Sequence, residues 1–266
     1  MAITVRDIRA FKERGEKFVM LTCYDAPSAR ILHDAGIPIL FVGDTLGMVV
    51  LGHSSTVPVT IDVMVHHVQA VRRGAPDAFV LGDMPFMSYQ TSIEDGIRNA
   101  GRLLQEGGAN GVKLEGGGPF VTELVHRLTG AGIPVMGHLG LTPQSVNQFG
   151  GYPVQGRDAE GAQRILQDAK DLEAAGAFAI VLETVPRSLA HEITRAVSIP
   201  TIGIGAGADT DGQVLVFHDF LGITPGRVPR FVKRYAEIGD AIGRAAREFA
   251  REVANGAYPG PEHSYD

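Results

Sequence analysis

The stretch GVKLEGGGPF, residues 111–120, opens as an apolar strand yet carries Lys113 and Glu115 two residues apart. Successive side chains of a strand point to opposite faces, so these two charges share one face while Val112 and Leu114 share the other. Such a pair means either a solvated edge strand with a polar face or the end of a barrel strand whose inward side chains do chemistry. The choice decides the fold, and the surrounding sequence makes it.

Short apolar runs recur along the chain: FVMLTCYD, IPILFVGD, AFVLGDM, GVKLEGG, IPVMGHLG, FAIVLET, IPTIGIGAG and, least regular, QVLVFHDFLG. Helix-like segments over 26–35, 61–74, 92–107, 120–131, 158–175 and 188–197 lie between them. Strands alternating with helices describe repeated βα units, hence a parallel sheet covered by helices. Apolar, β-branched-rich runs suit strands buried on both faces. An open doubly wound sheet shares this pattern, but three features favour a closed (β/α)8 TIM barrel. No flexible linker divides the chain, the 266 residues and eight strands match the roughly 250 residues typical of that fold, and polar residues gather at several strand C-terminal ends.

The expectation is therefore a single barrel domain over residues 1–266. Its N-terminal segment, residues 1–16, contains TVRDIRAFKERGEK, which predicts a short helix capped by Thr4 and able to plug the barrel bottom. Residues 229–266 predict a C-terminal helical extension with apolar positions at helical spacing, ending in the loosely held tail YPGPEHSYD.

A formal net charge of −6 and the absence of a basic run argue against a nucleic-acid partner. The one cysteine, Cys23, rules out an intramolecular disulfide. The start, MAITVRDIRAFKERGEK, carries charges throughout, unlike an apolar signal region, and no apolar run is long enough to cross a bilayer. These features predict a cytoplasmic protein with a small-molecule partner and no membrane partner.

Four of the strands finish on a carboxylate: FVGD at Asp44, LGD at Asp83, KLE at Glu115 and VLE at Glu183. Four acids at one rim repel one another and resist burial unless something positive sits among them. With oxygen donors, no cysteine pair and no HxxxH spacing, Mg²⁺ fits better than Zn²⁺. Any one of these acids could instead cap the helix that follows. Capping does not explain their recurrence or the lysine beside Glu115.

His138 closes VMGHLG; a lone histidine after an apolar run is usually a structural hydrogen bonder, but in a barrel it reaches the acidic rim, where it could donate to a substrate oxygen. His66 and His67, in DVMVHHVQAVRRG, suit helix surface or packing. GIGAG, residues 203–207, is either a phosphate cradle or a tight turn. In LTCYD, Cys23 reads as a small buried side chain and Tyr24 as a residue reaching the rim. Two long stretches, LGMVVLGHSSTVPVT and LTPQSVNQFGGYPVQGR, would cover a substrate or serve oligomer contacts.

Taken in order, LTCYD, FVGDTLGMVVLGH, VLGDMPFMSY, GVKLEGG, VMGHLGLTPQSVNQFGGY, AIVLETVP and TIGIGAG give the chain a resemblance, over nearly its whole length, to the ketopantoate hydroxymethyltransferase family. The resemblance implies a (β/α)8 barrel of the phosphoenolpyruvate/pyruvate-type superfamily, a Mg²⁺ requirement, and transfer of a one-carbon unit from 5,10-methylenetetrahydrofolate to 3-methyl-2-oxobutanoate in pantothenate synthesis. Carried over by position, it implies metal-site acids at Asp44, Asp83 and Glu115, substrate contacts at Lys113 and His138, and a catalytic base at Glu183. Thr45 stands where the family commonly has serine, and it keeps the hydroxyl that would meet the substrate carboxylate. The family also implies a homo-oligomer, commonly a decamer. The rival readings are another Mg²⁺-dependent enolate enzyme of the superfamily, a lyase or mutase, which would carry a reactive rim cysteine, and a barrel that binds a keto acid without turning it over.

Overall fold

Eight strands, β1 (Phe18–Thr22), β2 (Ile39–Val42), β3 (Phe79–Asp83), β4 (Gly111–Glu115), β5 (Val135–Gly140), β6 (Ala179–Glu183), β7 (Thr201–Ile204) and β8 (Gly212–Leu215), close into a barrel in sequence order. Every pairing is parallel, and β8 returns to β1 through Val214 against Met20. The computed structural model describes residues 2–226 and 228–265, so Met1 and Asp266, the outer ends of the expected spans, and Arg227 lie outside the described residues.

The helices are α1 (Val5–Glu13), α2 (Ala26–Asp34), α3 (Leu46–Val49), α4 (Ile61–Gly74), α5 (Ile93–Gln105), α6 (Gly118–Gly130), α7 (Val146–Phe149), α8 (Ala159–Ala174), α9 (Arg187–Ala196), α10 (Phe217–Phe220) and α11 (Ile238–Ala254). Several start where a short polar side chain satisfies an otherwise unpaired N–H: Asp25 for α2, Thr60 for α4, Ser92 for α5 and Asp158 for α8. None of the four strand-end acids has this capping role. The two long stretches are not featureless loops. The first holds α3, and the second holds a 3-10 turn, Pro143–Ser145, running into α7.

Alternation along the strands sorts side chains between the barrel interior and the helices. Phe18, Met20, Ile39, Phe41, Phe79, Leu81, Met136, Ala179, Val181, Ile202 and Val214 form one buried cluster. The helix α1 belongs to it. Its Thr4 cap and Asp7 form a reciprocal capping box, and Ile8, fully buried, packs on that cluster with Val5 and Phe11. Lys12 anchors the helix by donating to the carbonyls of Thr194 (2.7 Å) and Ile199 (3.0 Å) and pairing with Asp211 at 3.1 Å.

The chain divides into two compact units, Met1–Val216, which contains the barrel, and Phe217–Asp266. The run QVLVFHDFLG, expected as one strand, contributes strand only as far as Leu215 and turns helical at Phe217. A short apolar run does not by itself distinguish strand from helix. In the second unit Tyr235 N–H donates to the Phe220 carbonyl at 2.7 Å, and α11 follows without a buried residue.

Candidate active site

The interior phase of each strand continues into its polar end. Asp83 follows Phe79 and Leu81 at the two-residue period, His138 follows Met136, and Glu183 follows Ala179 and Val181. Lys113 and Glu115 lie on β4 between them. Register brings Asp83 opposite Lys113, Glu115 opposite His138 and Glu183 opposite Gly140. Only glycine fits at that last position. Gly140 has φ +93°, and a Cβ there would lie 2.3 Å from the Glu183 carbonyl oxygen.

Lys113 is 3% exposed, which excludes the solvated-edge reading of β4. Its Nζ sits 2.8 Å from Asp83 Oδ1, out of hydrogen-bond alignment, and 3.1 Å from His138 Nδ1. A lysine ammonium has donors only, so Nδ1 must accept and the imidazole proton resides on Nε2. That Nε2 faces Glu183 Oε2 at 3.2 Å, again out of line, while Nδ1 lies 3.5 Å from Glu115 Oε1. Burial and the Lys113 charge oppose an imidazolium, the Glu115 and Glu183 carboxylates favour it, and the balance holds the His138 pKa above its ordinary value. An Nδ1–H would point at the ammonium, so the Lys113 contact selects the Nε2–H tautomer of the neutral ring, and Nε2 carries a proton in either charge state.

The acids outnumber the cations. Asp44 and Asp83 are each 2% exposed and Glu115 5%. Burial, then the neighbouring Asp83 and Glu115 charges, pushes the Asp44 carboxyl well above the carboxylate range. Asp83 is also raised by burial, against the opposing pull of Lys113. The three acids together hold Lys113 above its ordinary value despite burial, which works the other way. This excess negative charge and the oxygen-only donors suit a hard divalent cation. Among the described residues, however, no group of three or more His, Cys, Asp or Glu side chains is arranged to hold a metal ion. Mg²⁺ asks for less, since it commonly takes one or two carboxylates and completes its shell with water and substrate oxygens. The pair that fits is Asp44 and Asp83, adjacent through the Asp44 N–H, which donates to Asp83 Oδ2 at 3.1 Å.

Asp44, Thr45, Lys113, Glu115, His138 and Glu183 line one cavity with Met20, Phe41 and Val181. Asp83 and Tyr24 do not line it. Asp83 contacts Lys113 and accepts from the Asp44 backbone N–H, and Tyr24 is buried with its carbonyl accepting from His67 Nδ1 at 2.7 Å. His67 thus has the packing role its helix suggested. Gly205 and Gly207 adopt left-handed φ values of +63° and +84°, the tight-turn reading of GIGAG. Cys23 is fully buried and its thiol is pushed up to about 12, so it is not a nucleophile.

Four residues that sequence reasoning did not single out also shape the site. Gln144, 4% exposed in the 3-10 turn, donates to Asp44 Oδ2 and the Met84 carbonyl, each at 2.9 Å, and its backbone N–H donates to Glu115 Oε2 at 3.0 Å. The Tyr89 hydroxyl accepts from Glu115 N–H at 3.1 Å and lies 3.1 Å from both the Glu115 carbonyl and Gln144 Oε1. Tyr152 links the two long stretches, its hydroxyl 4.0 Å from Met48 Sδ, and its phenol pKa is raised by burial and then by the Glu183 and Asp44 charges. Thr184, next to Glu183, sits at φ +50°, a strained setting for a β-branched residue that costs about 1–3 kcal/mol. Its N–H donates to the Ile204 carbonyl at 2.8 Å and its carbonyl accepts from Gln155 N–H at 3.0 Å, which hold the strain in place.

Among solved structures of the same fold, the chain superposes on phosphonopyruvate hydrolase in complex with oxalate and Mg²⁺ (TM-score 0.63, 12% identity, 98% of this chain and 93% of that one). It superposes equally on 2,3-dimethylmalate lyase, a PEP mutase/isocitrate lyase superfamily member (TM-score 0.62, 16% identity, 98% and 93%). Much closer in sequence is the 3-methyl-2-oxobutanoate hydroxymethyltransferase of Carboxydothermus hydrogenoformans, 57% identical over 99% of this chain and 95% of that protein. The same-named protein of Thermotoga maritima is 58% identical over 94% of this chain and 92% of its own length. Residues 2–261 match the family model for ketopantoate hydroxymethyltransferase, and with that match and these relatives the chain belongs to the ketopantoate hydroxymethyltransferase family.

Proposed function

We propose that this chain transfers a hydroxymethyl group from 5,10-methylenetetrahydrofolate to 3-methyl-2-oxobutanoate, forming 2-dehydropantoate in pantothenate synthesis by enolisation and aldol-type addition. The observation that carries the chemistry is the buried Asp44, Asp83, Lys113, Glu115 and His138 facing the less buried carboxylate of Glu183 in the barrel mouth. Removing the C3 proton of the keto acid is difficult unless negative charge can move onto its ketone oxygen. Asp44 and Asp83 would hold a Mg²⁺ ion, which when bound would supply Lewis-acid stabilisation of that charge, and Glu115 adds a third carboxylate to the same rim.

The chain's own residues do the rest. Lys113 brings its ammonium to the substrate carboxylate, and the Thr45 hydroxyl on the cavity wall donates to it. His138 offers Nε2–H, a buried donor without an aligned partner, to a substrate oxygen. Glu183 takes the C3 proton. Water adds to the one-carbon bridge of the folate and both of its C–N bonds break, leaving tetrahydrofolate and a formaldehyde-level carbon. The enolate carbon adds to that carbon, while the new alkoxide takes a proton to become the hydroxymethyl group. A lyase or mutase reading lacks its reactive cysteine, since Cys23 is buried with a raised thiol pKa. A pure keto-acid binder has no use for a carboxylate poised opposite a buried donor.

The test is direct. Purified protein incubated with 3-methyl-2-oxobutanoate, Mg²⁺ and 5,10-methylenetetrahydrofolate is expected to produce 2-dehydropantoate, and no product overturns the reading.

We further infer a cytoplasmic homo-oligomer, decameric if it follows its family. No described helix is long and apolar enough to cross a membrane. Within α11, Ile242, Phe249 and Val253 are 57%, 55% and 50% exposed on one apolar stripe, an arrangement that calls for a covering surface. Sedimentation of the wild type is expected to show an assembly far above the 28.3 kDa chain, and Phe249→Asp to shift it toward smaller species. A wild-type monomer defeats this inference.

A further inference from the structure

We infer that Gln144 is a positioning residue that sets the metal-binding geometry of Asp44 by clamping one of its oxygens, while its backbone N–H holds Glu115 in place beside that site. The proposal rests on the reading of the rim acids as a cation site, and nothing in the family resemblance assigned this residue a role.

The clamp is complete. A carboxamide has two donor protons and an oxygen with two acceptor sites. Both protons of Gln144 Nε2 are used, on Asp44 Oδ2 and on the Met84 carbonyl, each at 2.9 Å. Its Oε1 receives Gln90 Nε2 at 3.2 Å and shares the Tyr89 hydroxyl proton with the Glu115 carbonyl. Exchanging N and O would set the amide oxygen against a carboxylate and a carbonyl and the NH₂ against the Gln90 NH₂. The orientation is therefore dictated by its surroundings. The Gln144 backbone N–H meanwhile holds Glu115 Oε2 at 3.0 Å.

One residue from the segment after β5 thus ties together the ends of β2, β3 and β4. Asp44 is left with Oδ1 as its uncommitted oxygen toward a cation, and Glu115 with Oε1 toward His138. Carboxylates at a cation site bind well only when such partners fix their rotation; losing one typically costs 10–100-fold in metal affinity.

The measurement is Mn²⁺ binding to the intact protein without substrates, followed by the paramagnetic signal of free Mn²⁺. Gln144→Met keeps length and volume but removes both donors and the acceptor; it is expected to weaken Mn²⁺ by roughly ten-fold or more. Tyr89→Phe, which deletes only the hydroxyl behind Gln144 and Glu115, is expected to weaken it by a smaller factor, and it keeps the test alive if Gln144→Met does not fold. Lys12→Met, at the opposite end of the barrel, destabilises the fold and is expected to leave Mn²⁺ affinity unchanged. Wild-type affinity in a folded Gln144→Met or Tyr89→Phe protein overturns the proposal, as does an equal loss in Lys12→Met. If the wild type itself fails to bind Mn²⁺, the cation reading of the rim falls first and the clamp falls with it.

Discussion

Glu183→Gln is expected to stop exchange of the C3 proton of 3-methyl-2-oxobutanoate for deuterium, by roughly 10²–10⁴-fold, while Mg²⁺ and keto-acid binding persist. Glutamine matches glutamate in shape and can still hydrogen bond, but it cannot accept a proton at neutral pH. The imidazole nearest to it is His138, 3.2 Å away. Its basic nitrogen is already occupied: Nδ1 accepts from Lys113 at 3.1 Å, and Nε2, which faces the cavity, carries the proton. His138 is thus a donor in this arrangement, and Glu183 is left as the acceptor. The strained backbone of Thr184 and the close packing of Gly140 against the Glu183 carbonyl fix the main chain that carries that carboxylate. Because exchange needs no folate, the experiment isolates proton abstraction from carbon–carbon bond formation. Exchange at the wild-type rate in Glu183→Gln moves the base to another group.

The barrel and its rim were legible because one periodicity serves both. In FVLGD the same alternation that buries Phe79 and Leu81 inside the barrel carries Asp83 to its mouth, and AIVLE does the same for Glu183. A polar residue in phase with interior apolar residues therefore announces a site without any knowledge of the fold's closure. The N-terminal helix was equally readable, since a Thr–x–x–Asp box states its own hydrogen bonds. Gln144 and Tyr89 carry no such signal. Both lie in irregular segments, where no period relates neighbouring residues, and their partners are 29 to 100 residues away for Gln144 and 26 to 55 for Tyr89. The run QVLVFHDFLG misled for a different reason: its apolar core, Val214 to Phe217, is too short to show either a strand or a helix period, so the turn from strand to helix at Phe217 leaves no mark. Strand ends also could not reveal which acids converge. Asp44, Asp83 and Glu115 share a rim through partners distant in sequence: Gln144 for Asp44, Lys113 for Asp83, and Gln144 with His138 for Glu115.

Lys113→Met is the variant expected to affect both folding and chemistry. Methionine fills most of the lysine's volume, so the cavity cost is small and the change is chiefly one of charge. Removing the ammonium leaves Asp83, Asp44 and Glu115 buried without their shared counterion, and breaking a buried ion pair by deleting one partner typically costs about 3–5 kcal/mol. The metal-free variant should therefore unfold at markedly lower denaturant than wild type. Adding Mg²⁺ should recover much of that loss, because a divalent cation supplies the missing positive charge and no longer competes with the ammonium beside it. Turnover should remain depressed by about 10²–10³-fold even at saturating Mg²⁺, since the cation cannot also replace a donor aimed at the substrate carboxylate. The two readouts separate two roles of one side chain: stabilising the resting acids, which a cation can take over, and engaging the substrate, which it cannot. Wild-type stability together with wild-type turnover in Lys113→Met would mean that the buried charge beside Asp83 is dispensable, and the balance of charges proposed for this site would be wrong.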